Sequence, residues 1–323
     1  MLLSVRDLHV EYRTPLGTAA AVRGVDLDIR QGESVGIVGE SGCGKTAAAL
    51  GALRLLAEPP AHVSATRLVL DGVDFVTASA RQRRQALGRA AGVIFQDPLT
   101  CMDPLMRIGH QISEAPRYHH GGSRKDARAA ALRGLEEVRI PDAARRIDEF
   151  PHQLSGGMRQ RATIAAALAI TPRLLVADEP TTALDVTVQA QTLRLVRRLR
   201  QEHGLSLLWI SHDIAVVAAM ADRIVVMYAG RIVEEGPVRQ ILQSPAHPYT
   251  KALLASVPRV GERGQRLASI AGSPPDLLQP LTGCSFYPRC AVRQDDCLHG
   301  IPDFVPVGER HTTACRVATA VPR

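Results

Sequence analysis

The sequence predicts an α/β fold with a mostly parallel core sheet, an antiparallel β-subdomain, a helical subdomain and a small C-terminal extension that carries cysteines. Three observations predict it. Runs such as Val35-Gly-Ile-Val38 and Leu174-Leu-Val-Ala177 are apolar throughout, the pattern of strands covered on both faces of a parallel sheet. The N-terminal residues alternate instead, as antiparallel strands do when one face meets the core. Aromatic residues make up only 3% of the chain while alanine is abundant, which favours helices packed through small side chains. A hydrophobic share of 46% over 323 residues is enough to bury one large domain plus a smaller appendage.

Taken in order, Leu2–Tyr12 and Ala21–Ile29 read as two antiparallel strands joined through the turn Thr14-Pro-Leu-Gly17. Val35–Val38 is a short strand, and a glycine-rich loop leads from it into a helix over Lys45–Leu56. From Gln96 to about Leu154 the pattern is helical, with Leu132, Leu135 and Val138 placed on one face. Ser155 opens another helix that runs to Ala169 and ends at Thr171-Pro172. Leu174–Ala177 and Leu207–Ile210 are buried strands. Ile224–Tyr228 and Arg231–Glu235 flank Ala229-Gly230 as a hairpin. After Gly236-Pro237 prolines and glycines become frequent, which places a domain boundary there.

No stretch approaches the roughly 20 apolar residues that span a bilayer, and the N-terminus lacks the layout of a signal peptide, so a cytoplasmic protein is expected. The net charge of +7 suits nucleic acid, an anionic membrane face or a polyphosphate ligand. The arginines are scattered, however. The short clusters Arg81–Arg84 and Arg197–Arg200 have no interleaved aromatics for base stacking, so they read as solvated helix faces and no nucleic-acid partner is expected.

The chemistry concentrates in three places. Gly39-Glu40-Ser41-Gly42-Cys43-Gly44-Lys45-Thr46 fits G-x-x-x-x-G-K-[ST], the P-loop pattern. Its glycines let backbone N–H groups curl around phosphate oxygens, and the following helix adds the positive end of its dipole. Lys45 should reach the β- and γ-phosphates and the Thr46 hydroxyl should ligate Mg²⁺. Leu174–Ala177 ends in Asp178 and Glu179, about 130 residues beyond that loop. An aspartate there can hold Mg²⁺ through water, and the adjacent glutamate can orient or deprotonate an attacking water. Ser155-Gly156-Gly157 opens a helix whose free N–H groups and hydroxyl make a second anion site.

Together these motifs resemble the ATP-binding-cassette (ABC) family over essentially the first 236 residues. The resemblance implies a P-loop NTPase domain of ABC type at 1–236, with its helical subdomain at about 97–157 and MgATP as ligand. It extends to Gln96 in Phe95-Gln-Asp-Pro98, like the family's glutamine loop, which touches Mg²⁺ and water. It extends also to Asp185 in Ala183-Leu-Asp185, like the loop that crosses the family's dimer interface. His212 in Ser211-His-Asp213 matches the histidine that contacts the γ-phosphate, and Glu179 matches the general base. Tyr12 sits where the family stacks an aromatic ring on adenine, although a strand residue packing on the core is an equal reading. Met158 departs from the glutamine that most members carry, a form similar to one of the paired ATPases of peptide importers.

The extension at 237–323 supports that subfamily. Glu235-Gly-Pro237 and His247-Pro-Tyr-Thr250 with Leu253-Leu254 resemble the tail of dipeptide and oligopeptide importer ATPases. Cys284, Cys290, Cys297 and Cys315 follow as C-x5-C-x6-C-x17-C; four thiolates can hold Zn²⁺ or a [4Fe–4S] cluster. The spacings are wider than the close pairs usual for zinc, and the resemblance implies an iron–sulfur cluster. His299 and His311 read as surface residues. The expected function is ATP hydrolysis coupled to dipeptide or oligopeptide uptake. The implied partners are a second ATPase subunit in a heterodimer, two transmembrane permeases and an extracytoplasmic substrate-binding protein, at the cytoplasmic face of the membrane. The same importer class carrying nickel or another small solute is an alternative. A soluble ABC ATPase of DNA repair or translation fits less well, since there is neither a long coiled-coil insertion nor a second cassette, and intact Lys45, Asp178, Glu179 and His212 speak against a non-catalytic cassette.

Overall fold

The structure is a computed structural model that describes residues 1–97, 101–121, 123–182, 185–257 and 270–318. Pro98 of the expected glutamine loop and Ala183 and Leu184 of the expected interface loop lie outside the described residues, as does residue 122 of the helical stretch. In chain order the strands are β1 (Leu3–Thr14), β2 (Gly17–Ile29), β3 (Ser34–Val38), β4 (Ala61–Ser64), β5 (Arg67–Leu70) and β6 (Val73–Asp74). There follow β7 (Ala91–Ile94), β8 (Leu174–Asp178), β9 (Ser206–Ser211), β10 (Arg223–Tyr228), β11 (Arg231–Pro237), β12 (Val305–Gly308) and β13 (His311–Thr313). The chain divides into two compact units, the first made of Met1–Leu3, Ile29–Glu33 and Val69–Leu208, the second of Ser4–Asp28, Ser34–Leu68 and the described residues of Trp209–Arg323.

In the first unit β7 and β8 pair in parallel from Ala91↔Leu174 to Ile94↔Ala177. Every residue of β8 is buried, as its unbroken apolar run requires. The helical stretch resolves into Ile108–His120, Arg124–Glu137 and Ala143–Arg146, followed by Gly156–Leu168. Ser123 caps the second of these in a reciprocal capping box with Asp126. Its buried residues are Ala127, Ala131 and Leu135, and Val138 is buried just beyond its end, while Leu132 is only half-buried. This corrects the expected stripe through Leu132: a step of three residues turns 300°, so a run of such steps slides around the helix, whereas steps of four and three together hold a face.

In the second unit the strands run in the order β12-β13-β11-β10-β3. β3 and β10 are parallel, from Arg223↔Val35 to Val226↔Val38. β10 and β11 form the expected hairpin, closing at Tyr228↔Arg231. Ala229 and Gly230 make its two-residue turn with φ 46° and 80°, the left-handed pair that matches strand twist. β1 and β2 are neighbours joined by Pro15 and Leu16, and β1 pairs antiparallel with β4, Tyr12 opposite Ala61. The helix after the glycine loop ends at Ala52 rather than Leu56, because Arg54 takes φ 54°, which no right-handed helix can include. The tail returns to this sheet: β13 pairs with β11 at Glu234↔Thr313 and Glu235↔Thr312. Among the described residues no helix is long and apolar enough to cross a membrane.

Candidate functional site

β3 is buried along its whole length and delivers the chain to Gly39, where a Cβ would collide with the Met227 carbonyl oxygen. Gly44 takes φ 98°, and a side chain there would strike the Ala21 carbonyl oxygen. Only glycine satisfies both demands. Gly44 is the N-cap of the helix Lys45–Ala52 and caps it with no side-chain bond, and the positive end of the helix dipole faces the loop. Lys45 is 5% exposed and its Nζ donates to the carbonyls of Gly39, at 2.9 Å, and Glu40, at 3.0 Å. The Cys43 amide also donates to the Glu40 carbonyl, at 3.3 Å. Burial pushes the Cys43 thiol up to about 11, which makes it an inert packing group. Ser41, Gly42 and Thr46 are exposed, and Glu40 is half-buried.

The second unit holds two more candidates. Tyr12 is half-buried on β1, and burial raises its phenol. His212 is exposed at the end of β9, followed by Asp213, whose carboxylate caps the helix Ile214–Met220 through the amides of Ala215 and Val216.

The first unit holds the rest. Gln96 is exposed two residues past β7. Asp178 ends β8 and is 3% exposed. Glu179 follows at φ 45°, a left-handed conformation that a non-glycine residue adopts at some cost and that recurs at functional sites. Its Oε2 accepts from the Thr182 hydroxyl at 2.9 Å. The exposed Ser155 caps the helix Gly156–Leu168 by accepting from the Met158 amide at 3.3 Å. Gly156 faces open space, and a Cβ on Gly157 would press on Val188. Asp185 caps the helix Val186–His203 through the Val188 amide at 2.9 Å. Most of the predicted residues thus sit at loops and helix starts, while Tyr12 lies within β1 and Asp178 closes β8.

The extension and the strands it packs on contain groups whose roles are not evident from residue spacing. Glu234 is fully buried on β11 and accepts from the amides of Ala246 and His247 at 2.7 and 2.9 Å, and from His311 Nε2 at 2.7 Å. Burial opposes its ionisation, but these bonds outweigh burial and hold the carboxyl below its ordinary range. His311 is therefore a correction: it is 2% exposed and part of the core, whereas His299 is exposed as expected. His247 is buried as well; burial lowers its pKa to about 4, and its Nδ1 accepts from the Tyr249 amide. Arg23 donates to the Ala229 carbonyl and the Ser285 hydroxyl.

Cys284, Cys290, Cys297 and Cys315 line one cavity together with His247, Phe286 and Arg293. Burial raises the Cys284 and Cys315 thiols, and the neighbouring cysteines raise them further. The cavity measures about 10 Å³, room for one water, and among the described residues no group of three or more ligating side chains is spaced to hold a metal ion. The donor set suits a soft metal while the spacing does not. Around so small a cavity these side chains pack as small hydrophobes.

A phosphate loop at the end of a buried parallel strand, a serine-glycine-glycine helix start and an acid pair closing a second parallel strand define an ABC-type ATPase. The chain belongs to the ABC transporter family, whose model matches residues 22–182. Residues 233–297 match the model of the oligopeptide/dipeptide transporter C-terminal region. The dipeptide transport ATP-binding protein DppD of Bacillus subtilis is 45% identical over 97% of this chain and 94% of its own. A Brucella ovis protein named for peptide import and ATP binding is 44% identical, with 97% and 96% covered. Among solved structures, the ATP-binding cassette MJ0796, a dimer bound to ADP and Pi, superposes with TM-score 0.64 and 26% identity over 73% of this chain and 99% of that one. CbiO1 of Clostridium perfringens, part of a transporter complex, gives 0.63 and 25%, over 75% and 91%.

Proposed function

We propose that this chain is the ATP-hydrolysing subunit of an importer for dipeptides or oligopeptides. The observation that carries the reading is similarity across nearly the whole length, tail included, to DppD. The substrate class follows from that tail, because the cassette alone is shared by transporters of many solutes. We assign residues 1–236 to the ATPase, with its helical subdomain at about 97–157, and 237–323 to the extension; the extents of the two family matches support this division.

Each residue is given a role by its chemistry. The loop Gly39–Thr46 cradles the phosphates, Lys45 offsets charge developing on the transferred group, and Tyr12 stacks on adenine. Thr46, Gln96 and Asp178 are assigned to Mg²⁺, which supplies charge neutralisation at the phosphates; a hydroxyl, an amide and a carboxylate are the hard oxygen donors it takes. Glu179 takes the proton of the attacking water, and His212 positions the γ-phosphate. Ser155, Gly156, Gly157 and Asp185 serve the nucleotide of a second ATPase subunit, so hydrolysis belongs to a pair, here a heterodimer. The pair acts on two permease subunits fed by an extracytoplasmic binding protein, which keeps this chain peripheral at the cytoplasmic face of the membrane. We assign Cys284, Cys290, Cys297 and Cys315 to a [4Fe–4S] cluster, with Zn²⁺ as the alternative; the four-cysteine donor set supports this, and the packed side chains would have to move apart to admit either group.

The test uses the chain assembled with its permeases in vesicles. Glu179→Gln retains ATP binding and loses at least about 100-fold in turnover, the scale of a lost general base, and dipeptide uptake stops with it. Wild-type hydrolysis in that variant overturns the role of Glu179. Wild-type vesicles that take up nickel but no peptide overturn the substrate class.

A further inference from the structure

Glu40, the second residue of the phosphate loop, is held from outside the loop on two sides. Its carboxylate receives Arg289, whose Nη1 and Nη2 donate to Oε2 and Oε1 at 2.7 and 2.9 Å. The Arg289 side chain is 3% exposed. It donates further to the Tyr228 hydroxyl at 3.2 Å and to the carbonyls of Ile270 and Ala271 at 3.1 and 2.8 Å. All five N–H donors of Arg289 are thus used, the condition under which a buried guanidinium is fixed rather than merely tolerated. The ring of Tyr228 lies 5.8 Å away and that of Phe286 5.9 Å.

The backbone of Glu40 is held as well. Its amide donates to the Tyr249 hydroxyl at 2.8 Å. Tyr249 is fully buried in the helix Pro248–Ala255, against Tyr228 at 4.6 Å and Phe286 at 5.4 Å. The Glu40 carbonyl meanwhile receives Lys45 and the Cys43 amide. Side chain and amide are thus anchored to the extension, and the carbonyl fixes the residues that meet phosphate. A chain this poor in aromatics places three of them around this one contact.

We propose that Arg289 and Tyr249 are positioning residues for nucleotide binding, so that the extension sets the geometry of the phosphate loop and is part of the ATP site. The loop binds phosphate through oriented N–H groups, and its glycines make that orientation costly to impose. Anchoring Glu40 removes part of that cost before the ligand arrives. The proposal rests on the ATP-binding role of Gly39–Thr46.

The test is calorimetric titration of the full chain with MgADP, which is not hydrolysed. Arg289→Ala weakens binding about tenfold, the scale of one lost charge-assisted bidentate pair, and Arg289→Lys recovers part of it. Glu40→Ala weakens binding similarly, and the double variant binds no worse than Arg289→Ala alone, because both break one contact. Tyr249→Phe keeps the ring packing and weakens binding a few-fold. Circular dichroism and the melting temperature report the fold; should Arg289→Ala be unfolded, Arg289→Lys and Tyr249→Phe carry the test. Affinity at the wild-type level in the folded variants, with only the melting temperature lowered, overturns the proposal, as do losses that add in the double variant. A wild-type chain that binds no MgADP overturns the nucleotide reading itself, together with this one.

Discussion

Glu234 shows how one residue can hold a segment that has little regular structure. It has no exposed surface, yet remains a carboxylate because two amides and His311 donate to it. Its folded pKa lies below the unfolded one, so it contributes stability that is complete above the ordinary glutamate value and is lost as pH falls through the folded value. The melting temperature of the wild type should therefore fall steeply as pH drops below about 4.3, and Glu234→Gln should flatten that part of the curve. Glu234→Ala at neutral pH leaves buried donors unmet and should cost about 3 kcal/mol in denaturant titration. Equal curves for Glu234→Gln and wild type would show that another group governs acid unfolding. His311 and Arg289 belong to the same scale: neither is legible from residue spacing, because their partners lie 77 and 249 positions away.

The elements divide by how local their cause is. The apolar run of β8, the hairpin at Ala229-Gly230 and the glycine loop after β3 are legible because neighbouring residues dictate each. Glycine at position 44 answers a local demand for φ 98° and a distant one, the Ala21 carbonyl that a side chain would strike. Gly44→Ala should therefore weaken MgADP binding by about tenfold or more while the secondary structure measured by circular dichroism stays intact; unaltered affinity would mean that the loop relaxes freely. β12 and β13 escape a reading from periodicity because they are only four and three residues long, β13 taking its place from β11 and β12 from β13. Alternation cannot register over so few positions. The buried face of Arg124–Glu137 is misread for a related reason: three leucine-like residues spaced by three look like a stripe until the 3.6-residue turn is applied.

At the scale of the molecule, the tail contributes β13 to a sheet that also contains β3, and Arg289 to the loop that follows β3. The cysteines lie in this same tail: Cys290 follows Arg289 directly, and Cys284 and Cys297 join through a backbone bond of 2.8 Å. Four thiols lining one cavity are more than packing needs, since any small apolar residue would fill it. Burial raises the Cys284 and Cys315 thiols, whereas a metal requires thiolates, so metal binding would release protons and would need the side chains to move outward from their packed positions. Purified without oxygen, the chain should be brown, absorb near 400 nm by about the intensity usual for iron–sulfur charge transfer, and contain iron and sulfide in roughly equal amounts, about four of each per chain. Cys290→Ser should remove most of the colour and lower the melting temperature by several degrees, because the free energy of binding a cluster would add to that of folding. A colourless protein with one zinc per chain would replace the cluster by a tetrahedral Zn²⁺ site, and a protein with neither metal would leave the four thiols as packing groups alone.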